Sequence, residues 1–320
     1  MRERCGWSDS RFAGVALKAR SGKLRAFAVA VQVRPDAVLG ARDELVIAGR
    51  GRATRYAACR VVPDVGATLP LYVVNEAGGT RRLGVLHAVL AEGFWVESLD
   101  EDLSGGFFSD LPYFLNELRP QGFLGRQIPG RHVELELPSD VALWSANHCL
   151  KYLVRFGWDT VGNWLIGDRA LTAYLEHLEE PANPVYEDER AERYLALCKD
   201  ALSGAPGSSA GGEQAKFLAT RVGRHPPETP NVPVLVKFSP QMDDRVGRRL
   251  GDLLVAEHIA HGVITDHGVA AAESDLLIIE DRVFLEVVRF DRTLSGGRRG
   301  MLSLLALDAE FVGSARTWAH

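Results

Sequence analysis

The sequence predicts an α+β fold, and three observations carry that expectation. Between residues 61 and 150, short apolar runs alternate with turn residues, the pattern of a β-rich region. Between 145 and 200, apolar residues recur at helical spacing. Beyond a Gly/Ser-rich stretch at 203–216, residues 217–293 read as a compact unit of strand, helix and hairpin. With 320 residues, 46% apolar and 25% charged, the chain suits two or three globular domains with a sizeable core. The formal net charge of −5 excludes a global basic field, so any nucleic-acid contact must come from a local patch.

Residues 1–30 mix Arg and Ala with little periodicity, and no helix-cap signal stands out there. The stretch ELVIAGRGRATRYAA then gives a strand, a Gly-Arg-Gly turn and a second strand. As the wing of a winged helix it would set Arg50, Arg52 and Arg55 against DNA phosphates. A plain surface hairpin with solvated arginines is the competing reading. LPLYVVNEAGGTRRLGVLHAV predicts a hairpin turning through Glu76–Thr80, and GFWVESL a further strand. FFSDLPYFLNELRPQG predicts a short amphipathic helix, capped by Ser109 or Asp110 and stopped at Pro120–Gly122. Its aromatics Phe107, Phe108, Tyr113 and Phe114 are expected in the core. Helices follow in SANHCLKYLVRFG, LTAYLEHLEE and VYEDERAERYLALCKDAL. WDTVGNW between them, with Asp159 and Asn163, reads as a local turn.

Cys5, Cys59, Cys149 and Cys198 are far apart and form no CxxC pair, so free thiols rather than a zinc site are expected. His258, His261 and His267 lie close together, but a third metal ligand is not evident, and solvated or core histidines are the expectation. No apolar run approaches the roughly 20 residues that cross a bilayer, and the first residues lack the apolar stretch of a secretory signal. A cytoplasmic protein is therefore expected.

The strongest chemical signal is an order of parts. A Gly/Ser-rich loop ends at Lys216, and NVPVLVKF carries Lys237 in an apolar strand. The helix DDRVGRRLGDLLVAEHIAHG carries Glu257, and the hairpin DLLIIEDRVFLEVVRF leads into Asp291 and Arg292. Glycine N–H groups can approach phosphates without Cβ interference. A strand lysine can neutralise phosphate oxygens, a helix glutamate can hold that lysine, and the hinge backbone can face an adenine. This is the N-lobe design of a protein kinase. No GxxxxGK[ST] motif is present, which argues against a P-loop NTPase. The last stretch, LSLLALDAEFVGSA, predicts a helix beginning a further domain.

Several segments resemble one family. PGSSAGGEQAKF is similar to the phosphate loop of HipA-type serine/threonine kinases of toxin–antitoxin systems, VLVKFSP to their lysine strand and VVRFDRT to their hinge. FFSDLPYFLNELRPQGFLGR and IAGRGRATRYA resemble the N-terminal subdomain and wing of the YjjJ-like branch. The resemblance spans roughly residues 31–312. It implies a kinase-like N-lobe preceded by a β-rich subdomain and a partial winged helix. The boundaries would be 1–62 for an irregular N-terminus and partial winged helix, 63–200 for the N-terminal subdomain with helices, 201–293 for the N-lobe and 294–320 for the start of a C-lobe.

By resemblance, Lys237 holds the ATP phosphates, Glu257 pairs with it, and Gly211, Gly212 and Gln214 form the phosphate loop. Phe290 lies against adenine, and Ser209, next to Ser208, is the autophosphorylated serine. ATP and Mg²⁺ are the implied cofactors; an antitoxin, a protein substrate and DNA are the implied partners. The family's base aspartate, asparagine and metal-binding aspartate come well after the hinge, and only 28 residues follow Arg292 here. The expectation is no catalytic residue in this chain, weak Mg²⁺ binding at most, and no phosphorylation by this chain alone. A decayed or shifted reading frame at both ends is the simplest accompanying expectation. Two alternatives remain: a non-catalytic winged-helix DNA binder with a nucleotide-binding remnant, and an unrelated α+β protein with a linker at 203–216.

Overall fold

The computed structural model describes residues 45–48, 55–90, 92–203, 214–223 and 230–313. The first two strands, β1 (Leu45–Ala48) and β2 (Arg55–Ala58), pair antiparallel with Leu45 opposite Ala58. Their turn, with Arg50 and Arg52, lies outside the described residues, as does the side chain of Arg55.

The first five-stranded sheet runs β6-β5-β4-β3-β7. Its central hairpin joins β3 (Thr68–Val74) to β4 (Thr80–Val89) as the sequence predicts. The Asn75 carboxamide oxygen accepts hydrogen bonds from the backbone N–H groups of Ala77 and Gly79 and so shapes the turn. β5 (Gly93–Ser98), β6 (Gly106–Phe108) and β7 (Trp164–Ile166) complete the sheet. Leu71, Leu86, Phe94 and Val96 from these strands share a core with Leu150 and Leu153 of a helix over Ala146–Phe156. That helix starts where Ser145 and His148 cap each other reciprocally.

The stretch 107–131 departs from the sequence expectation. Phe107 and Phe108 belong to β6, and Tyr113–Leu118 forms a 3₁₀ segment rather than an α-helix. Proline at 112 and at 120 leaves little room between them, enough for tight 3₁₀ turns. Neither Ser109 nor Asp110 caps it; the Asp110 carboxylate instead accepts from the Leu111 N–H and pairs with Arg119 at 2.7 Å. The chain re-enters helix at once in α1 (Gly122–Arg131), where the sequence pattern predicts a stop. The aromatics are not all core: Phe107 is 43% exposed, while Phe108, Tyr113 and Phe114 form a half-buried cluster with edge contacts.

The remaining helices are α2 (Ala146–Phe156), α3 (Asp168–Glu179), α4 (Arg190–Ser203), α5 (Arg245–Asp266) and α6 (Leu304–Phe311). The second five-stranded sheet runs β11-β12-β10-β9-β8. Its strands are β8 (Pro184–Val185), β9 (Lys216–Arg221), β10 (Val232–Phe238), β11 (Ser274–Ile279) and β12 (Arg282–Val288). Only β8 and β9 pair in parallel. The β11–β12 hairpin turns on Glu280 and Asp281, both with positive φ, as the right-handed twist of a two-residue hairpin loop requires. One face packs Phe217, Val234, Val236, Phe238 and Phe284 against Tyr194, Leu197 and Ala201 of α4. The other places Val283 and Leu285 against Leu254 of α5. Asp244 caps α5 by accepting from the Gly247 N–H at 2.6 Å. Cys59, Cys149 and Cys198 are free, and burial pushes each thiol up from its ordinary pKa. Among the described residues no helix is long and apolar enough to cross a membrane.

Candidate functional site

Alternation along β10 decides where Lys237 points. Val234, Val236 and Phe238 are buried on the α4 face, so Leu235 and Lys237 take the face toward α5. There the Lys237 Nζ donates to Glu257 Oε1 at 2.6 Å. Both groups keep partial access to solvent, which lets the pair engage a ligand without stranding a buried charge. One helical turn on, His261 Nε2 lies 4.0 Å from the same carboxylate oxygen.

The histidines have other partners. Nδ1 of His258 and of His261 each lie 3.0 Å from the Ser274 hydroxyl on β11, which can donate to one ring and accept from the other. His267 Nδ1 donates to the Val263 carbonyl. No group of three or more His, Cys, Asp or Glu side chains among the described residues is placed to hold a metal ion.

The Lys237–Glu257 pair lies at a cleft of about 670 Å³, the size of a small-molecule site. Leu218, Leu235 and Val287 of the second sheet line one wall, and Ile128, Tyr152 and Phe156 of the first unit's helices line the other. Phe290 lines the cleft too and is 60% exposed. The Gln214 side chain donates to the Phe238 carbonyl, tying the end of the Gly/Ser-rich stretch to the strand that carries Lys237. Ser208, Ser209, Gly211 and Gly212 lie outside the described residues. Of the residues expected at one site, the fold thus brings Lys237, Glu257 and Phe290 around one cleft, with Gln214 anchored on the lysine strand.

Sequence reasoning missed an ionic hub behind this cleft. The reading of Asp159 as part of a local turn is half right. The backbone does turn there, in a short 3₁₀ segment over Gly157–Asp159, but the carboxylate makes long-range ion pairs. Its Oδ1 accepts from Arg289 Nη1 at 2.7 Å and from Arg292 Nη2 at 2.8 Å. Both arginines also pair with Asp291, at 3.0 and 2.7 Å, and the Gly162 N–H donates to Asp291. Burial alone would raise the Asp159 pKa, but Arg289, Arg292 and Arg298 together hold it down to about 2. Burial likewise works against the Asp291 carboxylate, and Arg289, Arg292 and the Gly162 N–H together outweigh it to lower the pKa. The available signal was a dense alternation of charge, Arg-Phe-Asp-Arg, too rich for a plain exposed loop.

A second network joins α4 to the sheet. Glu286 on β12 is 2% exposed, yet it pairs with Arg190 at 2.8 Å and Arg221 at 3.1 Å, and Tyr194 OH donates to it. Burial, then the neighbouring Glu286 charge, raise the tyrosine pKa.

Comparison with known proteins covers both halves of this arrangement. Residues 65–175, which span the first sheet and its helices, match a family model described as the middle domain of a YjjJ-like toxin. Over 288 residues the chain is 37% identical to a protein named Toxin YjjJ from Escherichia coli (strain K12). That alignment covers 88% of this chain and 62% of the relative, so the chain spans less than two thirds of the relative's length.

Proposed function

We propose, from its likeness to a YjjJ-like toxin, that the chain forms the nucleotide-binding part of a toxin from a toxin–antitoxin system. The toxin would work as a HipA-type serine/threonine kinase, moving the γ-phosphate of ATP to a protein serine. One observation carries the reading: the 2.6 Å Lys237–Glu257 pair at a cleft bounded by the largely antiparallel second sheet and the long helix α5. A kinase N-lobe uses this pair to orient the lysine toward phosphate oxygens.

The residues present fit a nucleotide. Lys237 supplies charge for phosphate oxygens, and Glu257 holds its ammonium in place. Leu218, Leu235 and Val287 offer apolar surface to a base, with the Val288–Phe290 backbone beside them. The loop that would wrap the phosphates through Gly211 and Gly212, and the modified serine at Ser209, continue directly from the Gln214 anchor. In this reading Mg²⁺ arrives bound to the ATP phosphates. An antitoxin is the partner the family suggests. DNA contact through Arg50, Arg52 and Arg55 belongs to the same reading and gains support from the antiparallel β1–β2 ribbon. It would show as an affinity that falls steeply with salt.

The test is binding of a fluorescent ATP analogue, displaced by ATP, to the whole chain. Lys237→Met should weaken binding at least tenfold and Glu257→Gln less, both with unchanged unfolding midpoints. Equal affinity in all three proteins would overturn the proposal.

A further inference from the structure

The ionic hub has a charge that its own carboxylates do not balance. Arg289, Arg292 and Arg298 converge on Asp159 and Asp291, three guanidinium groups against two carboxylates. Arg289 and Arg292 take both acids in ion pairs. Arg298, 2% exposed, makes no ion pair among the described residues. It lies over the Tyr174 ring at 4.6 Å and donates to the Trp158 carbonyl. Its Nε and Nη1 are shielded from water and find no hydrogen-bond acceptor among the described residues. A buried cation normally has a partner, because desolvation without one is costly. Burial, then repulsion from Arg292, push the Arg298 pKa down to about 9.

Arg298 lines a second cavity of about 460 Å³. This cavity shares only Trp158, Asp159, Leu218 and Arg289 with the nucleotide cleft. Leu178, Pro233 and Leu294 give it apolar wall. Asn231 also lines it; its Oδ1 accepts from the Gly223 N–H, and its Nδ2 has no hydrogen-bond partner among the described residues.

We propose that this cavity binds a small molecule with an oxyanion group on a compact apolar body, the anion compensating Arg298 and accepting from Asn231. The volume exceeds what a bare inorganic anion fills, and the apolar wall favours a body attached to it. The site is independent of the nucleotide reading, since neither Lys237 nor Glu257 lines it.

Calorimetric titration of the whole chain at matched ionic strength tests this, with phenyl phosphate, benzoate and inorganic phosphate as probes. Saturable binding of phenyl phosphate or benzoate is expected, with inorganic phosphate at least tenfold weaker. The affinity should survive Lys237→Met and fall at least tenfold in Arg298→Met. Methionine replaces an unbalanced buried charge by an apolar chain of similar reach, so this variant is expected to fold at least as well. The two organic probes separate a phosphate-bearing from a carboxylate-bearing ligand. Absence of saturable binding by all three probes overturns the proposal, as does equal binding by Arg298→Met. Loss of binding in Lys237→Met would place the anion in the nucleotide cleft and overturn it too.

Discussion

At Asp159 two arginines meet a single carboxylate oxygen, and the residue ties the segment after α2 to the segment after β12. Asp159→Asn leaves three guanidinium groups facing one carboxylate. The expected loss is about 2–4 kcal/mol, within or just below the range for breaking a buried pair. Urea unfolding of the two proteins measures it. The same residue sets an acid limit. Its folded pKa of about 2 lies below the unfolded value of about 3.9, so its contribution is complete above the unfolded value. It is lost as pH falls toward about 2, and Asp291 acts in the same direction. Unfolding midpoints followed from pH 6 to pH 2 should fall less steeply in Asp159→Asn than in the wild type; parallel curves would contradict this. Lys237 and Glu257 were legible in the sequence because a lysine in an apolar strand and a glutamate in the following helix have few joint explanations. Asp159 was not, because its partners lie about 130 residues away and no local pattern encodes that distance.

Elements whose period is strong were legible: the β3–β4 and β11–β12 hairpins, α2, α3 and α5 all follow apolar alternation or helical spacing. The 3₁₀ segment and α1 were not, because proline and glycine mark a change of direction without specifying the next element. Strand β9 hid next to the Gly/Ser-rich stretch, and only its pairing with β10 makes it a strand. Helix α5 matters most for the cleft, since it carries Glu257 one turn beyond Leu254, which is buried between Val283 and Leu285. Leu254→Ala should cost about 3 kcal/mol through the cavity it leaves. It should also weaken nucleotide binding, because the glutamate loses its fixed register. Unfolding and nucleotide titration on the same preparation check both. On α2, Ser145→Ala should cost only about 1 kcal/mol by removing the cap, with no effect on binding.

Across the whole molecule, two sheets with separate cores meet at the cleft and at the hub. The α+β class and the order of the parts follow from sequence patterns, whereas the way the halves lock together rests on charged contacts between distant segments. Wild-type protein should unfold in a single calorimetric transition, and the double variant Arg289→Met/Arg292→Met, which cuts both links from the segment after β12 to Asp159, should separate it into two. The cleft between the halves is the central claim, and photolabelling with 8-azido-ATP tests it most directly. Peptide mapping should find the label on the cleft segment Val287–Asp291, suppressed by excess ATP and strongly reduced in Lys237→Met. Label confined to other segments, or insensitive to ATP, would contradict the account.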